Sequence, residues 1–160
     1  MPIQRRKHTG AVDILKIGET AGQAVGTSGT LITAISECSI SYEREAIDVT
    51  DRASGEWGST IPGTKTCELT FTYYDTQNGV VTDPILERLL SAWHSGDLVP
   101  ISACSVSGRG IDADWTITSV TDGQPINEAA TYEFSLSVCT DLRPPQELTA
   151  TAASNVTPNP

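Results

Sequence analysis

IDVTDRASGEWGSTIPGTKTCELTFTYYD, residues Ile47 to Asp75, decides the reading of this chain. In its second half Cys67, Leu69, Phe71 and Tyr73 alternate with Thr66, Glu68, Thr70 and Thr72. Successive side chains of a strand point to opposite faces, so this alternation predicts a strand with one face on a core and one in water. The first half is a long polar, glycine-containing connection that carries Trp57, and Pro62-Gly63 reads as its exit turn. A connection of that length is uncommon in a compact all-β chain unless it reaches for something. Thr50 to Thr64 therefore reads as an arm that docks on a neighbouring copy. Trp57 is its expected anchor, because aromatic residues commonly dominate interface energy; the competing reading folds Trp57 back over its own core.

Working outward, Ala11 to Gly18 predicts a first strand and Glu19 to Gly29 a loop rich in Gly, Ala and Thr. Leu31 to Tyr42 predicts one strand with Cys38, Ile40 and Tyr42 on one face and Glu37, Ser39 and Ser41 on the other. Downstream, Thr82-Asp83-Pro84 is a helix start, and Ile85, Leu86, Leu89, Leu90 and Trp93 recur with helical spacing up to a stop at Gly96. The single apolar stripe of that helix, Pro84 to His94, predicts that it lies on a sheet. Three more strands follow: Leu98 to Ser107, Ile111 to Thr121 and Ala130 to Cys139. In the last, Tyr132, Phe134, Leu136 and Val138 alternate with Thr131, Glu133, Ser135 and Ser137. The predicted class is mainly β: an antiparallel β-sandwich or strongly curved barrel with one flanking α-helix and a long extended loop. A chain of 160 residues suits one domain. Its expected parts are an N-terminal arm and first strand over 1–30, a β domain over 31–141, and an extended or disordered C-terminal tail over 142–160.

Charge narrows the function. The chain carries twenty acidic and ten basic residues, and three of the basic ones, Arg5, Arg6 and Lys7, sit in the first ten positions. The body is strongly acidic and repels phosphates, which disfavours ordinary nucleic-acid binding through a basic patch. Four cysteines fall one per predicted strand without C-x-x-C spacing, so a metal set is not indicated and buried thiols are the expectation. The charged N-terminus lacks the apolar run of a secretory leader, and no run of about 18 apolar residues exists to span a membrane.

Candidate chemistry is sparse. His8 lies in the basic arm, and His94 suits the last turn of a helix as a partner of its dipole rather than a catalytic base. Asp112 and Asp114 form a D-x-D that points one way from a strand, but calcium needs six or more oxygens. Glu43, Glu45 and Asp48, and Asp51 with Glu56, could form a carboxylate pair, although carboxylates on strand edges more often serve solvation. Gly26 to Gly29 lacks the Lys of a phosphate loop. No enzyme and no cofactor are expected.

The order of motifs from Asp48-Val49-Thr50 through Gly55-Glu56-Trp57 and Pro62-Gly63 to an alternating strand, a helix near Pro84 to His94 and a strand ending at Cys139 resembles the major tail tube proteins of long-tailed bacteriophages. The resemblance covers roughly Ile32 to Thr140. It implies a virion protein, assembled in the host bacterial cytoplasm, whose copies form hexameric rings stacked into a non-contractile tube. Implied partners are further copies of the chain, the tape measure protein, tail terminator and distal tail proteins, and viral DNA in transit, without membrane insertion. Strands of successive copies would join edge to edge into a large barrel. The expected channel lining is Glu37, Ser39, Ser41, Glu68, Thr70, Thr72, Glu133, Ser135 and Ser137; the competing reading of these residues is an ordinary solvated face of an antiparallel sheet. The expected contacts between copies are Thr50, Asp51, Arg52, Glu56, Trp57, Ile61 and Pro62 of the arm, with Arg5 and Arg6. Six copies would bring on the order of sixty negative charges to such a ring, which lets DNA slide without sticking. Pro144 to Thr151 also resembles the first strand of a fibronectin-like module that some tail tube proteins carry, though the composition favours a plain terminus. The rivals are the tube of a contractile or type VI secretion machine and a monomeric β-sandwich that binds carbohydrate or a cell surface.

Overall fold

Cys67, Leu69, Phe71 and Tyr73 all turn inward and are buried, as their alternation requires. They belong to β4 (Thr60–Tyr74), which sits in an antiparallel arrangement with β1 (Ile14–Ile17), β2 (Thr30–Ile32), β3 (Ile35–Asp48), β5 (Val99–Cys104), β6 (Gly110–Gly123), β7 (Thr131–Cys139) and β8 (Gln146–Leu148). The computed structural model describes residues 14–26, 28–75, 83–105, 108–124, 126 and 128–149. Arg5, Arg6, His8 and the ends of both termini lie outside the described residues, as do Thr82 and Pro125.

The strands follow the order β2-β1-β5-β6-β7-β4-β3, with β8 added beside β6. The long β6 joins two halves. Its first part, Gly110–Trp115, pairs with β5, and its second part, Asp114–Gly123, pairs with β7. Side chains of both halves meet in one core: Leu15, Ile101, Ala113 and Trp115 from the first, Leu69, Phe71, Phe134 and Leu136 from the second. This is the expected β-sandwich, made from one sheet bent over itself. Phe71 and Phe134, cross-strand partners on β4 and β7, stack at 5.3 Å between ring centres. The fully buried Trp115 donates its indole N–H to the carbonyl of Ile101 at 2.9 Å, so its polar atom is satisfied.

The helix α1 (Pro84–Ser95) begins and ends where the sequence indicates. The Asp83 carboxylate caps it by accepting from the Ile85 N–H at 3.0 Å and also accepts from the Tyr73 hydroxyl, which ties the helix start to β4. Burial and that carboxylate together push the Tyr73 hydroxyl pKa far above its ordinary value. Gly96 closes the helix in the left-handed conformation at φ 77°. Leu86, Leu89 and Ala92 are the residues that enter the core, whereas Trp93, expected in the stripe, stays largely at the surface.

Two expectations change. The run Leu31 to Tyr42 is not one strand. The chain crosses between the two halves at residues 33–34, β2 joining β1 and β3 joining β4. Alternation continues across such a break, so the sequence does not reveal it. The long extended loop is shorter than expected: β3 and β4 remain paired out to Asp48 and Thr60, so the last five residues of the Thr50 to Thr64 stretch are strand. Pro62-Gly63 is consequently not an exit turn. Pro62 lies inside β4 opposite Ala46, next to a register shift between Arg44 and Ala46. An edge strand at a bulge tolerates a proline because the missing N–H costs no ladder bond.

Gly110, at the start of β6, faces the end of β5 so closely that a Cβ there would lie 2.0 Å from the Ala103 carbonyl oxygen. Backbone cannot yield as a flexible side chain can. Gly110→Ala is expected to destabilise the domain by about 1–3 kcal/mol, as overpacking does, read from the midpoint of urea unfolding.

Candidate assembly surfaces

Eight of the nine lining candidates fall into cross-strand rows on one face of the second half-sheet. Ser41 pairs with Glu68, and Glu68 with Ser137; Ser39 pairs with Thr70, and Thr70 with Ser135; Thr72 pairs with Glu133. Paired residues share a face, and the opposite face of the same strands holds Leu69, Phe71, Phe134 and Leu136. Glu37 joins at a bulge, where Ser36 and Glu37 together oppose Thr72 because the register shifts between Ile35 and Cys38. The result is a continuous surface of hydroxyls and carboxylates in which none of these residues is cationic.

Sequence reading missed the fourth strand of this surface. Thr116, Ser119 and Thr121 of β6 continue it opposite Ser137, Ser135 and Glu133. A bulge between Ile117 and Ser119 interrupts the alternation of β6, which hid them. At that bulge Thr118 turns its hydroxyl onto the Ser135 carbonyl at 2.9 Å.

The arm is a two-stranded ribbon. β7 covers β4 only from Glu68 to Tyr74, so Thr60 to Cys67 pairs with β3 alone over roughly 25 Å at strand rise. Its tip is organised by its own polar groups. Asp48 accepts from the Thr50 N–H at 2.8 Å and from the Thr50 hydroxyl at 2.5 Å, and the Thr50 hydroxyl oxygen accepts from the Ser59 N–H at 2.9 Å. Asp51 caps a short 3-10 turn, Arg52–Ser54, accepting from the Ala53 N–H at 2.9 Å and the Ser54 hydroxyl at 3.0 Å. These bonds hold the carboxyls of Asp48 and Asp51 below the usual carboxylate range.

Thr50 and Asp51 are thus spent on shaping the tip. Arg52, Glu56, Trp57, Ile61 and Pro62 are exposed on the same arm. Trp57 is 84% exposed and does not fold back over the core. Ile47 and Ile61, opposite one another on the ribbon, add exposed apolar surface to the same arm.

A third feature was not foreseen. Asp112 and Asp114 are buried, and between them lies the buried Arg143, whose Nη2 reaches Asp112 at 2.7 Å and whose Nε reaches Asp114 at 3.0 Å. The other oxygen of Asp112 accepts from the N–H groups of Val25 and Gly26, and that of Asp114 from the N–H of Gly22. All four carboxylate oxygens are occupied, which replaces the calcium reading with an internal ion-pair centre. The same centre, with β8, holds the C-terminal segment against β6 from Arg143 to Leu148.

The other chemical candidates find no support in the geometry. His94 stands exposed in the last turn of α1. Glu43, Glu45 and Glu56 are exposed on the arm, and the lowered pKa values of Asp48 and Asp51 run opposite to what a general acid needs. Cys67 is buried and its thiol is pushed up to about 11, so it packs as a small apolar group rather than a nucleophile. Among the described residues no helix is long and apolar enough to cross a membrane.

No family model matches the chain, and no curated protein does. Solved structures do. The chain is similar to a chain in the virion of a native gene transfer agent particle, at TM-score 0.66 and 17% identity over 90% of this chain and 98% of that one. It is similar to a chain in the tail of an empty gene transfer agent particle with helical C6 symmetry, at TM-score 0.64 and 18% identity over 87% and 96%. It is also similar to the SPP1 tail tube protein, at TM-score 0.65 and 15% identity over 90% and 79%. These likenesses bear out at the level of fold what the residues from Ile32 to Thr140 resemble: the chain has the phage tail tube fold.

Proposed function

We propose that this chain, on its tail tube fold, is a structural virion protein whose copies form hexameric rings that stack into a tail tube. The tube is a passive conduit. It encloses the tape measure protein during assembly, is bounded by terminator and distal tail proteins, and later conducts DNA without catalysing a reaction. The hydroxyl and carboxylate face lines the channel, and the arm makes contacts between copies. The C6 symmetry of the similar gene transfer agent tail supports the six-fold count.

The observation that carries the proposal is the unpartnered arm. A two-stranded ribbon is marginal in water on its own, and this one ends in an exposed Trp57. Such a ribbon gains from a second surface. The long border of β3, at one end of the strand order, is the place for edge pairing with the next copy. Anionic lining follows from mechanism: carboxylates repel the phosphates of passing DNA, and hydroxyls keep the wall wet.

Electron microscopy of the concentrated chain tests assembly: rings or tubes are expected, a lone monomer at high concentration favours a monomeric binding module, and a sheath around tubes in the native particle favours a contractile machine. The lining is tested with Glu68→Lys and Glu133→Lys. Intact tubes with DNA delivery lowered at least tenfold are expected; unchanged delivery places those carboxylates away from the channel.

A further inference from the structure

We infer that the border of β6 along Gly110–Asp112 is a strand-receiving site keyed to Arg143, filled in the lone chain by its own β8 and open to the same segment of a second copy. The observation is a change of partner along β6. On the side away from β5, β7 pairs from Gly123 back to Asp114 and then departs. The remaining residues, Gly110 to Asp112, would present open N–H and C=O groups on that side, and β8 covers them, Leu148 opposite Gly110, Glu147 opposite Ile111 and Gln146 opposite Asp112. Unpaired strand borders of this kind invite a strand from elsewhere.

Three residues of ladder do not by themselves offset the entropy of ordering the segment. Arg143 supplies the missing hold. Its guanidinium donates to the Asp112 carboxylate at 2.7 Å, the Asp114 carboxylate at 3.0 Å and the Asp112 carbonyl at 3.4 Å, all buried. Asp112 serves both parts, the side chain gripping Arg143 while the backbone pairs with Gln146. The carboxylates are themselves fixed by the N–H groups of Gly22, Val25 and Gly26, so the receptor stands ready when Arg143 is withdrawn. On the outside, Lys65 reaches Glu147 at 2.6 Å, an exposed pair that adds little.

Pro144 and Pro145 separate the arginine from the strand. Prolines hold this link extended and stiff, so Arg143 and β8 form a preshaped plug that can leave one receptor and enter an identical one. Exchange of an identical element between copies needs no new complementarity, because the native contacts are remade across the pair. The occupant is therefore residues 143–148 of another copy. This inference is independent of whether the copies build a tube.

The test uses a fluorescent peptide with the sequence of residues 142–149 and a full-length chain carrying both Arg143→Met and Glu147→Pro, which removes the arginine and interrupts the β8 ladder while leaving Asp112 and Asp114 in place. Saturable binding to this chain is expected, at least tenfold tighter than to the wild-type chain, with the Gly110–Asp112 amides slowed in hydrogen exchange by the peptide. The same peptide carrying Arg143→Met should bind at least tenfold more weakly. Failure of the peptide to bind the folded chain, or equal binding of both peptides, overturns the inference. If that chain does not fold, mixed Ile111→Cys and Glu147→Cys chains decide, read by the disulfide that joins position 111 of one copy to position 147 of the other. A disulfide between chains supports exchange, and its absence after oxidation at high concentration overturns it.

Discussion

Arg143→Met lowers the stability of the domain by about 3–5 kcal/mol, the range for breaking a buried ion pair from one side. The size follows from what remains. Asp112 and Asp114 are almost fully buried, and the guanidinium is the cation the structure places between them. Its removal leaves two carboxylates facing each other with only the N–H groups of Gly22, Val25 and Gly26 for company. Methionine fills much of the volume, so the loss reports charge and hydrogen bonds rather than a cavity. The midpoint of thermal unfolding is expected to fall by on the order of 10 °C. Adding Asp112→Asn and Asp114→Asn to Arg143→Met should recover part of the loss, because amide oxygens still accept from the three N–H groups without carrying charge. A decrease below about 1 kcal/mol would mean that the centre behaves like a surface pair.

That centre marks where the sequence stops being legible. Strands whose alternation is unbroken could be read directly: β4 with Cys67 to Tyr73, and β7 with Phe134 and Leu136, place their core residues as periodicity requires. The helix was legible because Asp83, Pro84 and Gly96 act locally. What could not be read were relations between distant segments. Arg143 is 29 residues from Asp114, and Gly22 is 92 residues from it, and no local pattern joins them. D-x-D correctly indicated two carboxylates on one side of a strand; it could not say that a cation from a Pro-rich segment would reach them. Bulges caused the second kind of failure. One extra residue in β6 kept Thr116, Ser119 and Thr121 out of the alternation, and Pro62-Gly63 has the composition of a turn while the register shift near Arg44 that seats it inside β4 is set by pairing with a distant segment. The lining candidates on β3, β4 and β7 were gathered by sequence alone because parity carries across antiparallel pairs once the register is set.

Trp57→Ala is expected to leave the subunit as stable as before, within about 0.5 kcal/mol, and to impair polymerisation severely. The two halves of that expectation come from one fact: Trp57 is 84% exposed and therefore contributes little to the fold of the single chain. An indole in water on an acidic, otherwise polar tip is apolar area that a second copy can bury. Truncating such an aromatic anchor commonly costs at least 2 kcal/mol of association, which raises the concentration needed for assembly roughly thirtyfold. Thr50→Ala separates anchor from scaffold. It removes the hydroxyl that bridges Asp48 and Ser59, loosening the tip while leaving Trp57 in place. A smaller shift in the same direction is expected, because a looser tip must be ordered on docking. Sedimentation across a concentration series reads both variants against the wild type. Should Trp57→Ala assemble at the wild-type concentration, the arm does not anchor through its indole, and the burden moves to Ile47 and Ile61 along the ribbon.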